Sequence, residues 1–178
     1  MNKAEQLKQA IRTIPDFPVK GVLFRDVTTL LKNEKAFRLS CECMAEGAKE
    51  LGAFEYITGI EARGFIYGAV LARESSAGFV PVRKPGKLPA AILSVNYDLE
   101  YGKDTVEVHV DAIVRGSRYL VVDDLLATGG TAEAVCRLIE AGGGTVVGCL
   151  FLVELPELGG RKKLENRKVV SILEFEGK

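Results

Sequence analysis

Apolar positions along this chain follow two rhythms. Leu7, Ala10, Ile11 and Ile14 fall at i, i+3, i+4 and i+7, which predicts a short amphipathic helix that Pro15 ends. Residues 15–21, Pro-Asp-Phe-Pro-Val-Lys-Gly, are too rich in proline and glycine for a regular element and predict an ordered loop. Phe37, Cys41, Met44, Ala45, Ala48 and Leu51 share one face of a second helix over 35–51, with Gly52 as its C-cap. From residue 56 the rhythm changes. Short apolar strands are predicted at 56–60, 78–82, 119–122, 146–153 and 169–173. A helix fits 64–73, and another carries Ala132, Val135, Cys136 and Ile139 until Gly142-Gly143-Gly144 stops it. Residues 90–95 and 105–110 predict the arms of a hairpin with a long tip, and the charged stretch 159–168 a solvated loop or helix end. Strand and helix alternating, with continuously apolar strands, predict an α/β domain around a central, mostly parallel sheet flanked by helices.

Composition narrows the chemistry. The 178 residues are the size of one domain, 1–178, with a single continuous core. Lysine plus arginine (24) equals aspartate plus glutamate (24), so no global basic field exists to hold nucleic acid. An anionic ligand must then be gripped by a local cluster or by backbone N–H groups. Cys41, Cys43, Cys136 and Cys149 form no C-x-x-C pair and have no histidine at zinc spacing, which predicts buried thiols in a reducing compartment. Lys3, Glu5 and Lys8 interrupt any apolar leader, and no apolar run approaches the ~20 residues of a membrane helix. A cytoplasmic protein without a membrane partner is expected.

The chemistry concentrates after the strand Tyr119-Leu120-Val121-Val122. Asp123-Asp124-Leu125-Leu126-Ala127-Thr128-Gly129-Gly130-Thr131 follows it directly, and a helix follows that. Ligands of such sheets sit beyond the carboxyl ends of the strands. Small residues at a helix N-terminus let backbone N–H groups converge on a phosphate, and the Thr128 and Thr131 hydroxyls add donors. Asp123 and Asp124 only accept, and suit vicinal sugar hydroxyls. A Walker loop would need lysine after Gly130, where Thr131 stands. A dinucleotide fingerprint would open a helix, whereas Gly142 to Gly148 follows one.

This loop resembles the phosphoribosyl pyrophosphate (PRPP) motif of type I phosphoribosyltransferases. Pro15-Asp16-Phe17-Pro18, Gly21-Val22-Leu23-Phe24-Arg25-Asp26, Glu61-Ala62-Arg63-Gly64-Phe65, Arg83-Lys84-Pro85-Gly86-Lys87-Leu88-Pro89 and Tyr97-Asp98-Leu99-Glu100-Tyr101-Gly102-Lys103 extend the resemblance over nearly the whole chain. In that order they are similar to the adenine phosphoribosyltransferases. The resemblance implies the type I fold, with a small N-terminal hood for base recognition (1–34) and a flexible catalytic β-hairpin loop (90–110). It implies purine salvage, with adenine and PRPP converted to AMP and pyrophosphate by pentosyl transfer. It also implies a homodimer and Mg²⁺ carried by PRPP or pyrophosphate, with no direct protein ligand.

The residue roles follow from the same resemblance. Asp123, Asp124, Ala127, Thr128, Gly129, Gly130 and Thr131 would hold the ribose and its 5-phosphate. Arg63, Arg83, Lys84 and Lys87 would hold pyrophosphate, the loop of Lys87 reaching toward a neighbouring subunit. Leu23, Phe24, Arg25 and Leu126 would receive adenine, Phe24 by stacking and Leu23 and Arg25 by main-chain groups. A strained peptide is implied at Glu61–Ala62 or Ala62–Arg63. In 6-oxopurine transferases the residue before Thr-Gly is an acid; here it is Ala127, so the acid is expected to be Glu100, raised in pKa when shielded from water. Tyr101 would close beside it and, with Arg63, completes the expected catalytic set. His109 alternates with Val106, Val108 and Val110 on the polar face of its strand, which argues against a role as base. A transferase for another base such as xanthine and a PRPP-sensing regulator are the alternatives. Phe24-Arg25 and Ala127 argue against the first, and the neutral single domain against the second.

Overall fold

The computed structural model describes residues 2–98 and 103–177. Helix α1 (Lys3–Ala10) opens on a reciprocal cap: Glu5 N–H donates to the Asn2 side chain (2.8 Å), and Asn2 N–H to the Glu5 carboxylate (2.9 Å). It ends earlier than the apolar spacing predicts. Ile11 is already extended, and Ile14 lies in strand β1 (Arg12–Pro15), opposite Phe24 of β2 (Leu23–Asp26). Hydrogen bonds to a strand some ten residues later outweigh one further helical turn, and no local period reports such a partner. The short helix α2 (Thr28–Lys32) was likewise not foreseen.

Helix α3 (Glu34–Glu50) is capped by the Asn33 side chain on Ala36 N–H (3.1 Å), and Gly52, past the cap residue Leu51, takes the left-handed turn at φ +97°. Then come β3 (Tyr56–Ile60), α4 (Gly64–Glu74), β4 (Gly78–Val82), the hairpin β5 (Ile92–Asp98) and β6 (Lys103–His109), β7 (Arg118–Leu126), α5 (Gly130–Ala141), β8 (Thr145–Glu154), α6 (Gly160–Lys163) and β9 (Val169–Glu174). Five strands form one parallel sheet in the order β4-β3-β7-β8-β9.

Both faces of this sheet are covered, which explains its unbroken apolar strands. Along β7, Leu120 and Val122 join the core under α1 to α4, with Leu7, Leu30, Met44 and Leu71. Their neighbours Tyr119 and Val121 join the core under α5 and the hairpin, with Val135, Ile139, Val106 and Val108. The hairpin is tied to the sheet by paired bonds between Arg83 and Glu107 (both 2.9 Å).

Three other expectations shift. The hairpin arms run closer to the tip than 90–95 and 105–110, with Asp98 paired to Lys103, so the tip is shorter than expected. Glu107, which shares the polar face of its strand with His109, is nonetheless buried, and its carboxylate accepts Gly86 N–H (3.1 Å). The stretch 159–168 contains α6, whose first residue is buried. All four cysteines are free thiols, with the Cys136 and Cys149 sulfurs 3.6 Å apart in the core.

Candidate functional site

The carboxyl ends of β3 and β7 build the site. Strand β7 does not stop at Val122 but continues to Leu126, with Asp123 opposite Phe151 and Leu125 opposite Val153 of β8. The two aspartates are therefore strand residues rather than turn residues. The strand period makes Asp123 and Leu125 part-exposed, and Asp124 and Leu126 buried. Asp123 Oδ1 accepts the Asp124 N–H (2.8 Å). Loss of water around its carboxyl raises its pKa well above the usual carboxylate range; the Asp124 charge adds to this and Arg63 opposes it.

Beyond Leu126 the chain turns through Ala127 and Thr128 into Gly129, at φ +77°, and α5 begins at Gly130. Two glycines set the shape of this turn. A Cβ on Gly129 would lie 2.4 Å from the Gly160 carbonyl oxygen, and one on Gly160 would lie 2.3 Å from the Ala127 carbonyl oxygen. The loop is thus backed by α6 at backbone contact, a support that the sequence reading placed in solvent. The Gly159-Gly160 pair was the available signal. A cavity of about 190 Å³ opens over this turn, lined by Asp123, Phe151 and residues 125–132. Leu126 lines it, while α5 presents its unpaired N-terminal N–H groups there.

A second cavity, about 300 Å³, lies against the β1–β2 hairpin and α2. Phe24 and Arg25 line it, joined by Ile14, Phe17, Asp26, Val27, Thr28 and Arg63. Phe17 meets Phe24 edge-on at 5.1 Å and remains half exposed. Leu23 and Leu126 are not on this wall. Asp26 is its anionic member. Bonds from the Thr28 hydroxyl (2.6 Å) and N–H (2.9 Å), with an ion pair to Arg12, hold its pKa down at about 2. Phe17 and Asp26 stood inside the motifs quoted above without a role assigned to them.

Arg63 joins the cavities' surroundings. It follows β3, lines the second cavity, and its Nε ion-pairs with the buried Asp124 of β7. The peptide Glu61–Ala62 just before it is cis, one of the two links the resemblance named. Glu61 gathers the next cations: it accepts from Arg83 Nε (3.1 Å) and from Lys84 N–H (2.9 Å), which hold its carboxyl below the usual range. Lys84 Nζ donates to the Tyr97 hydroxyl (2.8 Å) and ion-pairs with Asp104. Burial alone would lower the Lys84 pKa, but Asp104 and Tyr97 outweigh it and raise it. The Tyr97 hydroxyl donates to Asp104 (2.9 Å) and accepts from Thr131 (3.2 Å), so the chain of bonds ends on the first turn of α5. Lys87 is exposed on the loop beyond. Glu100 and Tyr101 lie outside the described residues. His109 lines neither cavity.

Three comparisons bear on this arrangement. A family model described as the phosphoribosyl transferase domain matches residues 27–177, and so begins just past the β1–β2 hairpin. The adenine phosphoribosyltransferase of Vibrio cholerae is 54% identical over 173 residues, covering 96% of this chain and 95% of its own length. The crystal structure of adenine phosphoribosyltransferase from Thermoanaerobacter pseudethanolicus superposes with a TM-score of 0.93 at 51% identity, over 97% of this chain and 99% of that one. That from Saccharomyces cerevisiae, complexed with an imino-altritol bisphosphate and adenine, gives a TM-score of 0.90 at 39% identity, over 96% of this chain and 98% of that one.

Proposed function

The chain belongs to the adenine phosphoribosyltransferases of the phosphoribosyl transferase family, and from that premise we infer that it converts adenine and PRPP to AMP and pyrophosphate in purine salvage. The observation that carries this reading is one juxtaposition: an aromatic cavity beside Phe24 and a glycine turn at a helix N-terminus, with Arg63 on the wall of the first and paired to the strand that feeds the second.

The turn from Ala127 to Thr131 binds the 5-phosphate through backbone N–H groups and the two threonine hydroxyls. Asp123 and Asp124 take the ribose hydroxyls, Asp124 exchanging its bond to Arg63 for one to substrate. Arg63, Arg83, Lys84 and Lys87 receive pyrophosphate. Three of them are already paired with carboxylates, so the incoming anion competes for cations that are held in place. Adenine enters the hairpin cavity against Phe24, where main-chain groups of Arg25 read its 6-amino edge; a 6-oxo base would leave buried groups unpaired. Leu126 forms the floor toward the phosphate side.

The glycosidic carbon develops positive charge as pyrophosphate leaves, so water must be kept out. Ala127 has no titratable group. Glu100 therefore handles the proton on the purine N7, taking it as N9 bonds to the glycosidic carbon and returning it in the reverse reaction, with Tyr101 beside it. Residues 1–34 act as the base-recognition hood and 90–110 as the catalytic hairpin of one domain. Mg²⁺ neutralises the leaving pyrophosphate when bound. No group of three His, Cys, Asp or Glu side chains able to hold a metal ion occurs among the described residues. The assembly is a homodimer and the compartment the cytoplasm, readings supported by the full-length resemblance and by four unbridged thiols. No helix among the described residues is long and apolar enough to cross a membrane.

The test is to incubate the protein with PRPP, Mg²⁺ and adenine, hypoxanthine, guanine or xanthine in turn, following nucleotide and pyrophosphate. AMP from adenine alone is expected. Product from a 6-oxopurine instead, or PRPP binding with no product from any base, overturns the reading.

A further inference from the structure

The strand that carries Phe24 is not secured by its own hairpin alone. The Arg25 side chain turns toward the end of the chain: its guanidinium lies 4.7 Å from the Phe175 ring centroid and donates to the Glu176 carbonyl oxygen (2.6 Å). The same group donates to the Thr13 hydroxyl of β1 (2.6 Å), so it holds both strands of the hairpin to the C-terminal segment. Lys8 of α1 places its ammonium 5.5 Å from the same ring. Gly177 closes the contact. Its N–H donates to Glu157 (2.9 Å), and a Cβ there would lie 3.0 Å from the Leu23 side chain, with φ at +89°.

The segment is itself anchored to the strands that end at the phosphate turn. Phe175 N–H donates to the Glu154 carbonyl oxygen at the tip of β8 (3.0 Å). The Glu154 carboxylate pairs with Arg161 of α6 (2.8 Å), and the next residue, Leu155, donates its N–H to Leu126 at the tip of β7 (2.9 Å). One continuous set of contacts thus runs from the phosphate turn, through the ends of β7 and β8, to the strand beneath the purine cavity.

We propose that Phe175, Glu176 and Gly177 are positioning residues for the purine: they set where β2 stands relative to the phosphate turn, and so the width of the cavity at Phe24. This rests on the assignment of that cavity to adenine. None of the three lines the cavity, and they reach its wall through the Arg25 side chain, so their removal leaves every binding group present and displaces the strand that bears them.

The experiment uses the full chain, Phe175→Ala, Phe175→Tyr, and a chain ending after Glu174. It measures KM for adenine and for PRPP separately, with amide exchange at residues 23–26. Loss of an aromatic platform under a guanidinium, and of the bonds that follow it, is expected to raise the adenine KM about tenfold in Phe175→Ala and at least as much in the shortened chain. The PRPP KM stays within about twofold, exchange at residues 23–26 quickens, and Phe175→Tyr behaves as wild type because it keeps the ring. An unchanged adenine KM in Phe175→Ala, or both KM values rising together, overturns the inference. A wild-type protein that makes no AMP instead overturns the functional reading, and the exchange measurement still decides whether the segment holds β2.

Discussion

The carbonyl oxygen of Ala127 and the α-carbon of Gly160 are in backbone contact, leaving 2.3 Å to a Cβ that Gly160 lacks. Neither atom belongs to a flexible side chain end, so the contact cannot yield without moving the phosphate turn or α6. Gly160→Ala is expected to raise the PRPP KM about tenfold or more, the scale of overpacking in a tight site, with the adenine KM within about threefold. Steady-state kinetics with each substrate varied decides it; a wild-type PRPP KM would mean that α6 gives way instead.

Arg63 and Asp124 separate stability from activity. Asp124 is buried and Arg63 is about half exposed (side chains 5% and 46%), so Arg63→Ala leaves a buried carboxylate without its partner. The cost is expected at about 1–3 kcal/mol, below that of a fully buried pair because water reaches the arginine side. Adding Asp124→Asn recovers most of the melting temperature and none of the turnover. Recovery of turnover in the double variant would remove Arg63 from pyrophosphate binding.

Asp26 predicts an acid limit. Its folded pKa is about 2, depressed by Thr28 first and Arg12 next, against about 4 in an unfolded chain. A depressed carboxylate contributes its stability above the unfolded value and loses it as pH falls through the folded one. The stability difference between wild type and Asp26→Asn is therefore expected to be full at pH 5 and above, and to shrink between about pH 4 and pH 2. Urea unfolding at several pH values measures it. A difference that stays constant down to pH 2 would show that the charge of Asp26 is not what matters.

Glu100→Leu is expected to cut turnover by ~10², the lower range for general acid–base catalysis, with the PRPP KM little changed. Near-normal turnover would place the group that handles the N7 proton elsewhere.

Much of this architecture is legible in residue order. The strands at 56–60 and 78–82 fall where the spacing predicts, and the helix at 64–73 ends within one residue of its prediction. Apolar runs buried on both faces need no knowledge of their neighbours to be recognised. Ile14 shows where that stops. It fits a helical stripe with Leu7, Ala10 and Ile11, yet it pairs with Phe24, because the partner strand decides its backbone. Strand β7 likewise runs on through Asp123 and Asp124, since β8 supplies hydrogen-bond partners that charge alone would not suggest.

By itself the sequence determined the order of the central sheet's strands and of helices α3 to α5, the small residues of a phosphate turn and the lack of an acid at Ala127. Those are properties of neighbouring residues, expressed through backbone preference and period. Only the tertiary structure decided which distant groups meet: Arg63 with Asp124, 61 positions apart, Gly160 beneath Ala127, and Arg25 against Phe175. Each of those contacts depends on how the sheet stacks its strand ends, and stacking is set by the whole core rather than by any stretch of the chain.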